Sequence, residues 1–187
     1  MTGAQPPVTG GPQRPVAVLV GFMGAGKSTV GRVLADQLGV DLVDTDCEIV
    51  QRTGQAIPEI FADAGAERFR QIESEVVLDV LERHRGVVAL GGGAVTTEAV
   101  RDALGGHRVV HLKVDADAGF ARVSGSDRPL LAGADPAERY RLLLAERAGT
   151  YAEVATIEVD AARGDAHDVA DTIIAAIARE LVPERTP

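Results

Sequence analysis

Gly21-Phe22-Met23-Gly24-Ala25-Gly26-Lys27-Ser28 meets the pattern G-x-x-x-x-G-K-[ST] at every fixed position. These residue types suit the binding of a nucleoside triphosphate. Glycines let successive backbone N–H groups turn toward one centre, and the N-terminus of a following helix adds the positive end of its dipole. Lys27 has the reach for the β- and γ-phosphates, and the Ser28 hydroxyl can ligate Mg²⁺. Gly24, Ala25, Gly26, Lys27, Ser28 and Thr29 form the expected phosphate-binding set. A plain glycine-rich turn would need neither the lysine nor the hydroxyl in register.

Three more groups have chemistry to offer. Asp44 and Asp46 stand two apart at the end of an apolar run, and in an extended segment such residues face one side. One carboxylate could hold the Mg²⁺ shell and the other accept a proton from an attacking hydroxyl. Alternatively, Asp46 caps a helix that begins near Cys47. Gly91-Gly92-Gly93 is entropically expensive for the chain and suggests close backbone approach to another group, against the plainer reading of a flexible turn. Arg128-Pro129-Leu130-Leu131 lies in a long loop of the kind that forms lids. An arginine there could close over a transferring phosphoryl group, a contribution of about 10³–10⁵ in rate in related chemistry, or it could be solvated. Locally, nothing separates Arg70 or Arg147 from surface arginines.

These groups need elements to position them. Pro15 to Val20 reads as a buried strand and Thr29 to Leu38 as a helix, so the glycine-rich loop sits between strand and helix. Val40 to Asp44, Val87 to Leu90, Val109 to Val114 and Ala155 to Val159 read as further strands. Helical patterns begin at Ile57, with Pro58 suited to a first turn. They recur over Ala66 to Arg83, Thr97 to Leu104, Asp115 to Val123, Pro136 to Ala148 and Ala166 to Leu181. Strands alternating with helices predict an α/β fold, three layers deep, whose five-stranded parallel sheet is covered on both faces. Ligands gather at the carboxyl ends of such strands. The first strand ends at the phosphate loop, the second at Asp44-Thr45-Asp46 and the third at the triple glycine, so all three converge on one edge.

Composition narrows the partners. The 187 residues carry a net charge of −9, which argues against a general nucleic-acid or anionic-membrane surface. The only lysines are Lys27 and Lys113, so an anionic ligand must be met by local clusters. Cys47 is the only cysteine, which precludes an internal disulfide and fits a reducing, cytoplasmic setting. We expect it to be buried and inert. The four histidines show no metal-ligand spacing and read as ordinary surface or strand residues. No apolar run approaches the length of a membrane span. Residues 1–14 read as a disordered extension, 15–182 as one domain with a lid around 123–135, and 183–187 as a flexible tail. The expected state is a monomer.

Taken in order and spacing, the Gly21 to Thr29 loop, Asp44-Thr45-Asp46, Phe69-Arg70-Gln71-Ile72-Glu73, Gly91-Gly92-Gly93-Ala94-Val95 and Arg128-Pro129-Leu130-Leu131 closely resemble the shikimate kinase family over roughly Pro15 to Leu181. The resemblance implies a fold of the nucleoside-monophosphate-kinase type. It implies transfer of the ATP γ-phosphate to the 3-hydroxyl of shikimate, with ATP and shikimate as ligands and Mg²⁺ as cofactor. Lys27 would bind phosphate, and Ser28 with Asp44 would bind the metal. Asp46 would engage the shikimate hydroxyls and could act as base. Arg70 and Arg147 would clamp the carboxylate, with Glu73 orienting Arg70. Gly91, Gly92 and Gly93 would support the substrate, Gly92 through its N–H. Phe61 and Phe69 would line the pocket, and Arg128 would close with the lid. Arg122 and Arg163 would lie near the adenine, although the lid sequence Ser124 to Asp127 matches no fixed pattern.

Two other readings stand beside this one. A kinase for gluconate or a nucleoside monophosphate would share the phosphate loop, but a carboxylate-bearing acceptor better explains Arg70. A non-catalytic nucleotide-binding module would be expected to have lost an aspartate or arginine of the set.

Overall fold

The short apolar run Ala17–Val20 is buried on both faces and forms strand β1. Its alternating side chains enter two cores. Ala17 and Leu19 pack with Leu34, Val169 and Ile173, whereas Val18 and Val20 pack with Phe22, Val76 and Val80. Burying each larger aliphatic side chain contributes about 1.5–3 kcal/mol, so a four-residue strand suffices here. The computed structural model describes residues 14–125, 129–131 and 133–181.

Helix α1 (Lys27–Leu38) follows the glycine-rich loop, and β2 (Leu42–Asp44) leads directly into α2 (Thr45–Thr53). The elements α3 (Ile57–Arg83), β3 (Val87–Ala89), α4 (Glu98–Ala103), β4 (Val109–Lys113) and α5 (Ala116–Val123) come next. The chain closes with α6 (Pro136–Val154), β5 (Ile157–Asp160) and α7 (Ala166–Leu181). Single turns of 3₁₀ helix lie at Ala94–Thr96 and Pro129–Leu131.

All five strands are parallel, in the order β2-β3-β1-β4-β5. Val18 pairs with Val88 on one side and Val109 on the other, which places β1 at the centre. The path from β3 to β4 crosses β1, so the strand order reverses there. The carboxyl end of β1 is therefore the expected ligand crevice. Among the described residues, no helix is long and apolar enough to cross a membrane.

The departures from the sequence expectations have local causes. Asp46 does not lie on an extended segment. Asp44 ends β2 and caps α2, its Oδ1 accepting from the Asp46 and Cys47 amides at 3.0 and 3.4 Å. The capping aspartate is thus Asp44 rather than Asp46. Cys47 is exposed in the first turn of α2, not buried. The two helical patterns on either side of Gly65 form one element kinked there, where φ is 79° and ψ is 172°. Helix α6 continues to Val154, six residues beyond Ala148, because Tyr151 is buried against the site and holds the last turns in place. The fifth strand accordingly begins at Ile157 rather than Ala155. His111 is also buried, with Nδ1 3.2 Å from the Glu158 carboxylate.

Candidate active site

The loop between β1 and α1 turns on Gly24 and Gly26, whose φ angles of 81° and 88° lie in the left-handed region that favours glycine. No side chain caps α1, so its positive end faces the crevice. Lys27 arches back over the loop and donates from Nζ to the carbonyls of Gly21 and Phe22 at 2.8 and 3.2 Å. Ser28 donates from Oγ to Asp44 Oδ2 at 2.5 Å. Asp44 thereby divides its work, with one oxygen capping α2 and the other meeting the phosphate loop.

A cavity of about 360 Å³ opens here, lined by Lys27, Ser28, Asp44, Asp46, Gly92 and Arg122 among others. A second, of about 210 Å³, shares Gly26, Thr29 and Arg122 with it and extends along Ala161, Gly164 and Asp165. Arg122 joins the two regions, donating to the carbonyls of Gly24 and Ala161 at 3.0 and 3.4 Å. Arg163 lines neither cavity. It is 88% exposed along its side chain and turns to Asp160 at 3.1 Å. Arg128 lies outside the described residues.

The triple glycine is a meeting point for side chains from three helices, α2, α3 and α6. A methyl group on Gly91 would fall 2.6 Å from both Asp46 Oδ1 and Glu73 Oε1, and one on Gly93 would fall 2.2 Å from an Arg70 nitrogen. One on Gly92 would crowd the Met23 amide at 3.2 Å. Gly91 and Gly93 thus stand against side-chain ends and Gly92 against main chain, which favours close approach over a flexible turn. Thr45 adds a tie that had no signal of its own in the sequence. Its buried hydroxyl accepts from the Gly91 amide at 2.9 Å, which fixes the start of α2 against β3. The only available clue was its place between two carboxylates that must face outward.

Arg70 donates to Glu73, one turn away on α3. Glu73 is 1% exposed, and burial pushes its carboxyl above the ordinary carboxylate value despite the opposing pull of Arg70. The Arg70 guanidinium also lies 5.1 Å from the Phe69 ring centroid, and Phe61 packs on Phe69 at 4.5 Å. Arg147 comes from α6. It is 8% exposed, lies 5.5 Å from the Phe22 ring and donates from Nη1 to the Gly92 carbonyl at 3.4 Å. Its buried Nε has no hydrogen-bond partner among the described residues. A buried guanidinium N–H left without an acceptor is costly, so this group is suited to receive an anion. Arg70 and Arg147, far apart in sequence, both reach the triple glycine.

A phosphate cradle and two carboxylates line one cavity, and two arginines reach the triple glycine, of which Gly92 lines the same cavity. Comparison with known proteins gives this assembly a family. The model described as SKI: Shikimate kinase matches residues 23–178. A shikimate kinase of Mycobacterium avium (strain 104) is 57% identical over 150 residues, covering 80% of this chain and 85% of that one. One from Mycobacterium tuberculosis (strain ATCC 25177 / H37Ra) is 56% identical over the same length and shares. Among solved structures, a shikimate kinase from Acinetobacter baumannii in complex with shikimate superposes with a TM-score of 0.87 at 37% identity, covering 90% of this chain and 95% of that one. A gluconokinase from Sinorhizobium meliloti 1021 has a TM-score of 0.56 at 17% identity, covering 90% and 94%, and shares the fold alone. The chain belongs to the shikimate kinase family.

Proposed function

We propose that the protein transfers the γ-phosphoryl group of ATP to the 3-hydroxyl of shikimate, giving shikimate 3-phosphate and ADP. The observation that carries this reading is the pair of arginines that meet at the triple glycine, Arg70 with its buried partner Glu73 and Arg147, over Phe22 of the phosphate loop, with an unpartnered Nε. A planar guanidinium pairs a carboxylate through two parallel hydrogen bonds, so the pair suits an acceptor that carries one.

Each residue then has a task. The loop amides and Lys27 receive the β- and γ-phosphates, and Arg122 borders the nucleotide through both cavities. Arg70 and Arg147 hold the acceptor carboxylate, while Phe61 and Phe69 support the Arg70 side of the pocket. Asp46 orients the acceptor hydroxyl toward the phosphate and takes its proton late, because a loose transition state needs alignment and charge neutralisation more than a strong base. Arg128 is proposed to meet the transferring group from the lid.

Ser28 and Asp44 offer two hard oxygens 2.5 Å apart at the phosphate end of the crevice, which fits Mg²⁺. Among the described residues, no cluster of three His, Cys, Asp or Glu side chains could hold a metal alone. This suits an ion that keeps waters and takes phosphate oxygens. When bound, it would neutralise charge between the β- and γ-phosphates. We place the protein as a monomer in a reducing cytoplasm. The single cysteine and the few exposed large apolar side chains, Val50, Leu78 and Leu142 among the described residues, support that placement.

The test is ADP release with MgATP and, separately, shikimate, quinate, gluconate or AMP. Strong stimulation by shikimate alone supports the proposal. Turnover on another acceptor only would keep the phosphate loop's role and overturn the acceptor's identity.

A further inference from the structure

The chain has only two tyrosines, Tyr140 and Tyr151, and both lie on α6. They stand eleven positions apart, about three helical turns, so they share one face. Both are almost fully buried. Both also end on a main-chain carbonyl at the crevice. Tyr140 donates to Met23 of the phosphate loop at 2.7 Å, and Tyr151 donates to Gly92 of the triple glycine. Arg147 stands between them on the same helix and reaches the same Gly92 carbonyl.

Each hydroxyl sits in a prepared place. Gly119 of α5 leaves room for Tyr140, since a methyl group there would fall 2.0 Å from the Tyr140 oxygen. The same stretch of α5 touches the phosphate loop, because a methyl group on Gly24 would fall 2.3 Å from the Gly119 carbonyl. Tyr140 is further enclosed by Phe22 and Phe120, with ring centroids at 4.9 and 5.8 Å. The Tyr151 ring stacks on His111 at 5.1 Å, and Glu158 holds that histidine from β5. Burial raises the Tyr151 pKa, so its hydroxyl keeps its proton and remains a donor.

We infer that Tyr140 and Tyr151 are positioning residues that tether the nucleotide-binding loop and the acceptor-binding loop to one rigid helix. Tyr140 sets the phosphate loop. Tyr151 sets Gly92 and, beside it, Arg147. The inference rests on the acceptor and nucleotide sides assigned above. It adds that their mutual alignment is set from α6, by two hydroxyls on residues that line neither cavity. Misalignment of about 1 Å is enough to lower a transfer rate markedly.

The test uses Tyr140→Phe and Tyr151→Phe, which keep the rings and remove only the hydroxyls. Tyr151→Phe is expected to raise the shikimate KM about tenfold while the ATP KM stays near wild type. Tyr140→Phe is expected to weaken MgADP binding, measured by calorimetry, about tenfold and to leave shikimate affinity unchanged. Gly119→Ala is expected to reproduce the Tyr140→Phe pattern by displacing the hydroxyl, and it serves if that variant fails to fold. Wild-type ligand affinities with only a lowered Tm, or equal changes toward both ligands in both tyrosine variants, would overturn the inference. The MgADP measurement does not depend on the acceptor. Weakening in Tyr140→Phe but not in Tyr151→Phe would therefore support the tether even if wild-type enzyme used an acceptor other than shikimate.

Discussion

The two halves of the crevice are built differently. The phosphate side is made largely from main chain: one loop, three glycines with positive φ, an uncapped helix start and Lys27, all within Gly21–Ser28. The acceptor side is made from side chains that arrive on α2, α3 and α6 and meet at Gly91–Gly93. A site made from contiguous backbone can be read from a short pattern. A site made from distant side chains exists only once the fold has brought them together. The first tolerates change around it but not within it. The second should lose affinity by degrees as each arm is removed.

The sharpest test of the contrast is Lys27→Ala. Lys27 combines charge with a position fixed by the Gly21 and Phe22 carbonyls. Turnover should fall by about 10³-fold, in line with removal of a charged stabiliser in phosphoryl transfer. Circular dichroism and Tm should remain close to wild type. Retention of substantial turnover would remove the distinction between a single-point phosphate side and a distributed acceptor side.

Arg70→Ala comes next. It removes one arm of the acceptor side and leaves buried Glu73 without its partner. The apparent shikimate KM should rise about 10- to 100-fold, the range for losing a charge-assisted hydrogen bond, with the ATP KM little changed. A change confined to the ATP KM would move Arg70 to the nucleotide side. Gly93→Ala tests the same arm through the backbone. The added methyl would occupy space now filled by the Arg70 guanidinium. The shikimate KM should rise about tenfold and MgADP affinity should hold, because Arg70 can retreat at the expense of its aim.

The contrast also explains what could be read from the residues alone. Alternation of apolar runs with helical spacing is enough for five parallel strands, because the central β1, β3 and β4 are buried apolar runs and helices separate all five. The phosphate loop was complete in eight consecutive letters. Asp44 was legible as a ligand-side carboxylate but not as the cap of α2, since capping depends on where β2 stops. Arg147 looked like any surface arginine because its burial comes from Phe22 and Gly92, 125 and 55 positions away in the chain. The length of α6 was underestimated for the same reason. Its last turns are fixed by Tyr151 reaching across to Gly92, a contact with no local signature. The expectation of a buried Cys47 follows from the usual burial of a free thiol, whereas here it is exposed and shares a capped first turn with Asp46.

The smallest effect should come from the outer edge of the acceptor side. Asp79 on α3 binds Arg83 at 2.6 Å and also Arg52 of α2, while Glu48 of α2 binds Arg52 and Arg83 at 2.9 and 2.5 Å. This closed ring of charges joins the helix carrying Asp46 to the helix carrying Arg70. Three of its members, Arg52, Asp79 and Arg83, are substantially exposed, with Asp79 at 44%, so solvent screening limits its worth to about 1 kcal/mol or less. Asp79→Asn should therefore lower Tm by only about 2–4 °C and leave the shikimate KM within about twofold of wild type. Hydrogen bonds from Arg52, and then Arg83, hold the Asp79 carboxyl below its ordinary value. A lowered carboxylate contributes stability above its unfolded-state pKa and loses it as pH falls through the folded value. The Tm difference between wild type and Asp79→Asn should accordingly be present at neutral pH, shrink in acid and also shrink in high salt. A large shikimate KM change from this surface substitution would mean that α2 and α3 are aligned by their exposed charges. In that case the buried ties at Thr45, Glu73 and Gly91 would not be sufficient to hold the acceptor side.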